Sequence, residues 1–311
     1  MKLFPILLAV VLIVAAGTTT PALAMDKEFT AVPGNNHWNY GPNWDPEDVP
    51  DSDDNAIILA GQVCYITDAD AVADSIEIKV DGESKGELWV YPERKLSLYG
   101  DADSDIDGLL HLSGTLVIMS DLSITGEAGK IEMFKNSVID DDENNGAVLT
   151  LEHACDPELQ PDCAVTVFGV GYIKVTLVND AFVVADGTCD EMTLHLIEES
   201  KSGSGVWEAK NLGWLEVNLA EGEEFTGSGT WRILATAAND GAMIFIKSCI
   251  DGLTGDVEIK NGKFEAEESF CTTGDLTWES VAGSPYNTEP EFYVHSAKTA
   301  MFVESCSNVC P

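Results

Sequence analysis

The chain has 311 residues, of which 54 are acidic and 16 basic, for a net charge of −38, while 45% are hydrophobic. That charge repels nucleic acids, anionic lipids and polyanionic polysaccharides, and leaves cations and neutral glycans as compatible ligands. The length and apolar content suffice for a sizeable core, which excludes disorder as the reason for the charge.

Residues 1–24 carry Lys2, an apolar run from Leu3 to Ala16 and small residues at Ala22 and Ala24. This is the pattern of a signal peptide, so the mature chain is expected to start near Met25. Loss of Lys2 takes the net charge from −38 to −39. The apolar run is short for a bilayer span, no cysteine follows it to take a lipid, and no second long apolar run precedes the C-terminus. The expectation is a secreted protein, extracellular or at the cell surface, without membrane insertion.

Residues 25–55 read as an N-terminal capping segment. From His37 to Ile66 the sequence is "HWNYGPNWDPEDVPDSDDNAIILAGQVCYI". Through Asn43, Trp44, Val49, Pro50, Asp54, Ile57, Ile58, Gly61 and Val63 it resembles the opening of bacterial exported β-solenoid proteins. The resemblance implies a right-handed parallel β-helix of the kind found in autotransporter passengers and surface adhesins. Trp38 and Trp44 then read as a lid, because an open solenoid end exposes both its core and an unpaired strand edge.

Residues 56–311 read as the solenoid. Very short apolar-x-apolar units, among them Ile76/Ile78, Leu88/Val90, Leu96/Leu98 and Val257/Ile259, are separated by Gly, Asp, Asn or Ser. Alternation with period two puts both apolar members on one face. No convincing amphipathic helix interrupts them. Leu110, Leu116 and Leu122 recur every six residues, as a chain does that turns a corner and lays down successive faces of a coil. Roughly ten coils of about 20–30 residues are expected. A β-sandwich is the alternative, but hairpin dipeptides are few: Asn145-Gly146, Asp240-Gly241 and Asn261-Gly262.

"DADSDIDG", Asp101 to Gly108, concentrates four aspartates in eight residues. Asp103, Asp105 and Asp107 before Gly108 match the D-x-D-x-D-G opening of a calcium loop, where alternate side chains converge on the ion and glycine permits the sharp turn. The twelfth position falls on Gly114 instead of glutamate, so this is no EF-hand. Two readings stand: a calcium site completed by other oxygens, or a solvated acidic corner. Two further acidic runs, 45–54 and 139–146, read as solvated loops.

Eight cysteines, Cys64, Cys155, Cys163, Cys189, Cys249, Cys271, Cys306 and Cys310, suit an oxidising compartment and up to four disulfides. Cys155 and Cys163 bracket a short loop that a bridge would close, and the last four would staple the C-terminal coils. His111 and His195 alternate with apolar neighbours and are expected to be exposed spacers. Trp207 and Trp214 are candidates for a platform that stacks neutral sugar rings; the other reading fills the coil interior with Trp214 and Trp231.

No GxSxG, HExxH, P-loop or GxGxxG motif occurs, and no catalytic residue can be named. Polygalacturonase-like motifs are missing: "NTE" at Asn287 to Glu289 ends in the wrong acid, and "WRIL" lacks the lysine. Lyases of this fold need an Arg or Lys base, and basic residues are scarce. The expected function is therefore that of an acidic structural component of a surface, matrix or adhesion apparatus, with calcium, neutral glycans or further copies of itself as partners. A carbohydrate-active enzyme, glycoside hydrolase or lyase, on the same coil is the rival, and a non-catalytic glycan-binding module the third reading.

Overall fold

The computed structural model describes residues 25–100, 103–141, 145–154, 163–187, 193–234, 241–279, 291–294 and 300–302. Residues 1–24, the expected signal peptide, lie outside them. Each coil contributes three short strands, and equivalent strands of successive coils pair in parallel. The first face is a ten-stranded sheet running from Val63–Ile66 to Leu276–Glu279, and the second a ten-stranded sheet running from Ala71–Ala73 to Glu291–Val294. The third face is split: a nine-stranded sheet ends at Lys201–Ser202, and a four-stranded sheet then runs from Thr226–Gly227 to Ala300–Phe302. The chain is thus a parallel β-solenoid, and the dominance of parallel pairing removes the sandwich alternative. Antiparallel pairing among the named strands is confined to Met25–Phe29 with Trp44–Asp45 and to the small hairpin Val80–Asp81/Ser84–Lys85, among the described residues.

The apolar-x-apolar units do what their period dictates. Leu110 and Leu116 are fully buried and Leu122 nearly so, each on a different face of one coil, in Leu109–Leu112, Thr115–Ile118 and Leu122–Thr125. Corners between faces are tight. At Gly114 a Cβ would lie 2.3 Å from the Arg94 carbonyl oxygen and 2.4 Å from that of Tyr91, so the coil beneath admits only glycine there. Coil length varies: Val167 and Val183 are register partners 16 residues apart, Trp207 and Trp231 are 24 apart, and Ile131 and Val167 are 36 apart. A solenoid tolerates this because extra residues leave as loops at the corners while the strands keep register.

The N-terminal end is closed as the two tryptophans suggested. Met25–Phe29 adds in parallel to Asp54–Ile58, and Phe29, Trp38 and Trp44 are buried over the first coil. Trp44 meets Phe29 and Trp38 edge-on, at ring distances of 5.1 and 4.8 Å. Its indole Nε1 donates to the Trp38 carbonyl at 2.8 Å. The neighbouring Asn43, buried, donates from Nδ2 to the His37 carbonyl at 2.8 Å and accepts the Val32 N–H at 2.9 Å, which satisfies polar groups that the lid would otherwise strand. The interior changes character along the axis. The early coils are filled by Leu, Ile and Val, while from Trp207 onward Phe225, Trp231, Phe264 and Phe270 form a contiguous buried aromatic column.

Candidate functional site

Ser104–Ile106 is a third-face strand whose Ser104 and Ile106 point inward and are fully buried. Alternation therefore turns Asp105 outward, level with Glu77 of the preceding coil and Thr125 of the next. Asp103 is exposed just before the strand, and Asp101 lies outside the described residues. Asp107 is already engaged: its Oδ1 accepts the Glu127 N–H at 2.7 Å. Burial, followed by the charges of Asp107 and Glu77, pushes the Asp105 carboxyl above its ordinary value. Among the described residues no group of three His, Cys, Asp or Glu side chains is gathered as a metal cage.

The bond from Asp107 belongs to a recurring device. Asp70 accepts the Lys95 N–H at 3.0 Å, Asp121 that of Val148 at 3.0 Å, Asp180 that of Ser204 at 2.7 Å and Asp256 that of Asp275 at 2.8 Å. In each case a corner carboxylate reaches one coil onward and takes a backbone donor that the ladder leaves unpaired. Charge-assisted bonds of this kind are stronger than neutral ones. Part of the acidity is therefore spent clamping coil to coil.

The outward positions of the sheets are built as cross-coil ladders. Trp89 and His111 are register partners on the first face, with rings stacked at 3.8 Å and 18°. His111 Nδ1 lies 2.7 Å from Glu132 Oε2, and Trp89 Nε1 donates to Glu87 at 3.1 Å. His111 does point outward, but these neighbours bury it to 7% exposure, so it is not the exposed spacer that the sequence suggested. On the second face Tyr172 stacks on His195 at 4.7 Å, His195 Nδ1 is 3.2 Å from Glu216, and Glu216 is 2.9 Å from Lys247. The His195 hydrogen bond holds the Glu216 carboxyl below its usual range. Further along the first face, Arg232 lies 2.9 Å from Glu258 and 3.7 Å from Glu208. Chemically these arrangements fix side chains against the sheet, and no described hydroxyl or thiol sits on the second nitrogen of either histidine.

Two sequence expectations are corrected. Trp207 cannot stack sugars, because it is fully buried beside Trp231. Trp214 is outward and 37% exposed, its Nε1 donating to the Gly241 carbonyl at 2.8 Å, so the pair forms no platform and it is Trp207, with Trp231, that fills the interior. Cys64 is not a disulfide partner: it is free and fully buried, an inward rung residue on Val63–Ile66 whose thiol desolvation pushes up in pKa. Cys163, Cys249 and Cys271 are disulfide-bonded. Cys155, Cys189, Cys306 and Cys310, and with Cys155 the expected 155–163 pairing, lie outside the described residues. Compared with protein-family models, curated proteins and solved structures, the chain matches none.

Proposed function

We propose that the protein is an exported, non-catalytic structural solenoid that serves as a rigid acidic component of a cell surface, matrix or adhesion apparatus, as the resemblance of its opening segment to autotransporter passengers and adhesins suggests. The observation that carries this reading is the use of its polar residues. Corner aspartates clamp successive coils, and outward histidines, glutamates and arginine pair along the ladders, so the chemistry of the outer surface goes into holding the coil. Disulfide-bonded cysteines accord with an oxidising compartment. The test is fractionation of producing cells combined with reducing-end assays on a polysaccharide panel. Surface or extracellular recovery without release of reducing ends is expected; retention in the cytoplasm, or turnover of any polysaccharide, overturns the reading.

Calcium belongs to the same proposal as a stabiliser of the acidic corner. An ion between Asp103, Asp105 and Asp107 would offset the burial and the carboxylate repulsion that together raise Asp105, and binding to the folded state alone adds about 2.7 kcal/mol at a hundred times the dissociation constant. Calcium should raise the melting temperature beyond a sodium control of equal ionic strength, and Asp105→Asn with Asp107→Asn should abolish the difference. Equal melting of the parent in both salts removes the site. Without calcium, Asp105→Asn alone should stabilise. A carboxyl whose pKa is raised by folding contributes stability fully below its unfolded pKa and loses it as pH rises through the folded value. The gain from Asp105→Asn should therefore vanish in acid and be complete at neutral pH.

A further inference from the structure

A concavity of about 440 Å³ lies along the corner between the first and second faces. Its lining draws on five successive coils, through Pro92, Ser113, Phe134, Val170 and Asp186. At one inter-strand spacing per coil it runs roughly 20 Å along the solenoid axis. Corner lengths create it. Between Thr166–Gly169 and Gly171–Ile173 the corner is the single residue Val170, and Gly169 has φ +120° with a Cβ position 2.1 Å from the Met133 carbonyl oxygen. This corner is pressed against the coil before it and forms the floor. The preceding corner, residues 134–137 between Lys130–Met133 and Val138–Asp141, is longer and raises Phe134 as a wall.

We propose that this groove binds a linear neutral oligosaccharide, by stacking on Phe134 and Phe168 and by hydroxyl donation to Glu132 and Asp186. Phe134 and Phe168 are both half-buried, so part of each ring stays open. Phe134 extends the row formed by Trp89 and His111, at ring distances of 6.4 and 6.2 Å, which holds it in place before a ligand arrives. Glu132 is tethered to His111 through Oε2, which leaves Oε1 to accept. Asp186 is held by Asn211 at 2.6 Å and by Lys210 at 3.5 Å. Apolar faces flanked by a few fixed acceptors are what a sugar ring, with its C–H face and hydroxyl rim, requires.

Charge selects the class. In a chain with only 16 basic residues, Lys130 sits over Phe168 at 5.4 Å, Lys135 lines the groove and Lys210 adjoins Asp186. These cations balance Glu132 and Asp186. A cation therefore finds no excess negative charge here, and a polyanion is repelled by the whole-protein field.

The inference rests on the non-catalytic surface reading and names its partner class. Isothermal titration of the complete mature protein should be run with hexamers of glucose, mannose, xylose and N-acetylglucosamine, with the deacetylated form of the last and with hexagalacturonate. At least one neutral hexamer should bind, and Phe134→Ala and Phe168→Ala should each weaken it by about tenfold, the loss of about 1.4 kcal/mol of ring contact. Phe168→Tyr should retain binding, and Trp278→Ala, which removes an exposed ring on Leu276–Glu279 four coils beyond Asp186, should leave it unchanged. No binding of any neutral hexamer at millimolar concentration, binding indifferent to both alanine variants, or tighter binding of the deacetylated or acidic hexamer overturns the proposal. Failure of the groove leaves the structural reading intact. Release of reducing ends from a bound hexamer instead overturns the non-catalytic reading and leaves the groove.

Discussion

Lys201→Met is expected to stabilise the protein, and most strongly at and below neutral pH. Lys201 occupies an inward position on the third face as the register partner of Leu177, and it is fully buried. Its Nζ donates to the Ile197 carbonyl at 3.2 Å and to the Glu199 carbonyl, while the carboxylates of Glu198, Glu199 and Glu223 surround it. Burial outweighs those charges and lowers the ammonium pKa from 10.5 to about 7. A depressed folded pKa contributes stability fully above the unfolded value and loses it as pH falls through the folded one. The window is thus from 10.5 down to about 7, and the total loss across it is about 5 kcal/mol at 1.36 kcal/mol per unit. Methionine fills the same volume without a charge but leaves two neutral carbonyl oxygens without that donor, at a cost of about 1–2 kcal/mol each, which together stay below the penalty removed. Urea unfolding of parent and variant at pH 6, 8 and 10 should show the variant ahead at pH 6 and the gap closing as pH rises. A gap independent of pH would refute the account. The position matters for the fold as well, because Lys201 lies where the third face breaks and bridges in parallel to Phe225 across the break.

The coil itself was legible because its signal is local. Leu110, Leu116 and Leu122 announce three faces in thirteen residues of sequence, and the capping tryptophans follow from what an open end exposes. Trp207 was misplaced for an equally local reason. In "VWEAKN" both Val206 and Trp207 are apolar, so two registers one residue apart were open, and a slip of one residue exchanges the faces. The clue was a long-range one: Trp207/Ala209 and Trp231/Ile233 have the same spacing and are register partners. Cys64 carried a similar clue in its pairing with Ile66 as an apolar-x-apolar unit.

What sequence could not supply depends on neighbouring coils. The corner clamps join residues 25, 20, 27, 24 and 19 apart, so no fixed spacing betrays which aspartate is a clamp and which is solvated. Exposure of an outward residue depends on what the coils above and below place beside it, which is why His111 is covered while Trp214 is not. The groove arises from a difference in length between adjacent corners, and that difference becomes visible only once register is known.

Trp231→Ala should cost about 3–5 kcal/mol, the usual range for emptying a buried tryptophan site, and should act on one end of the molecule. Trp231 is fully buried and its ring lies 4.7 Å from Phe225 and 6.4 Å from each of Phe264, Phe270 and Trp207. It is the member of the column that touches the most other rings, so its loss leaves Phe225 and Phe270 facing a void across which the coil must collapse or stay hollow. Coils interact with their nearest neighbours, so stability in a solenoid is close to a sum of local interfaces and damage need not spread along the axis. Hydrogen exchange should therefore show early loss of protection from Thr230–Leu234 through Phe270–Thr272, while the strands from Glu87–Val90 to Val148–Leu151 exchange as in the parent. Trp214→Ala provides the contrast. It removes an outward ring and one hydrogen bond to the Gly241 carbonyl, and should cost about 1 kcal/mol or less. Equal destabilisation by the two variants, or uniform loss of protection along the coil in Trp231→Ala, would mean that the aromatic column is not what holds the C-terminal coils together.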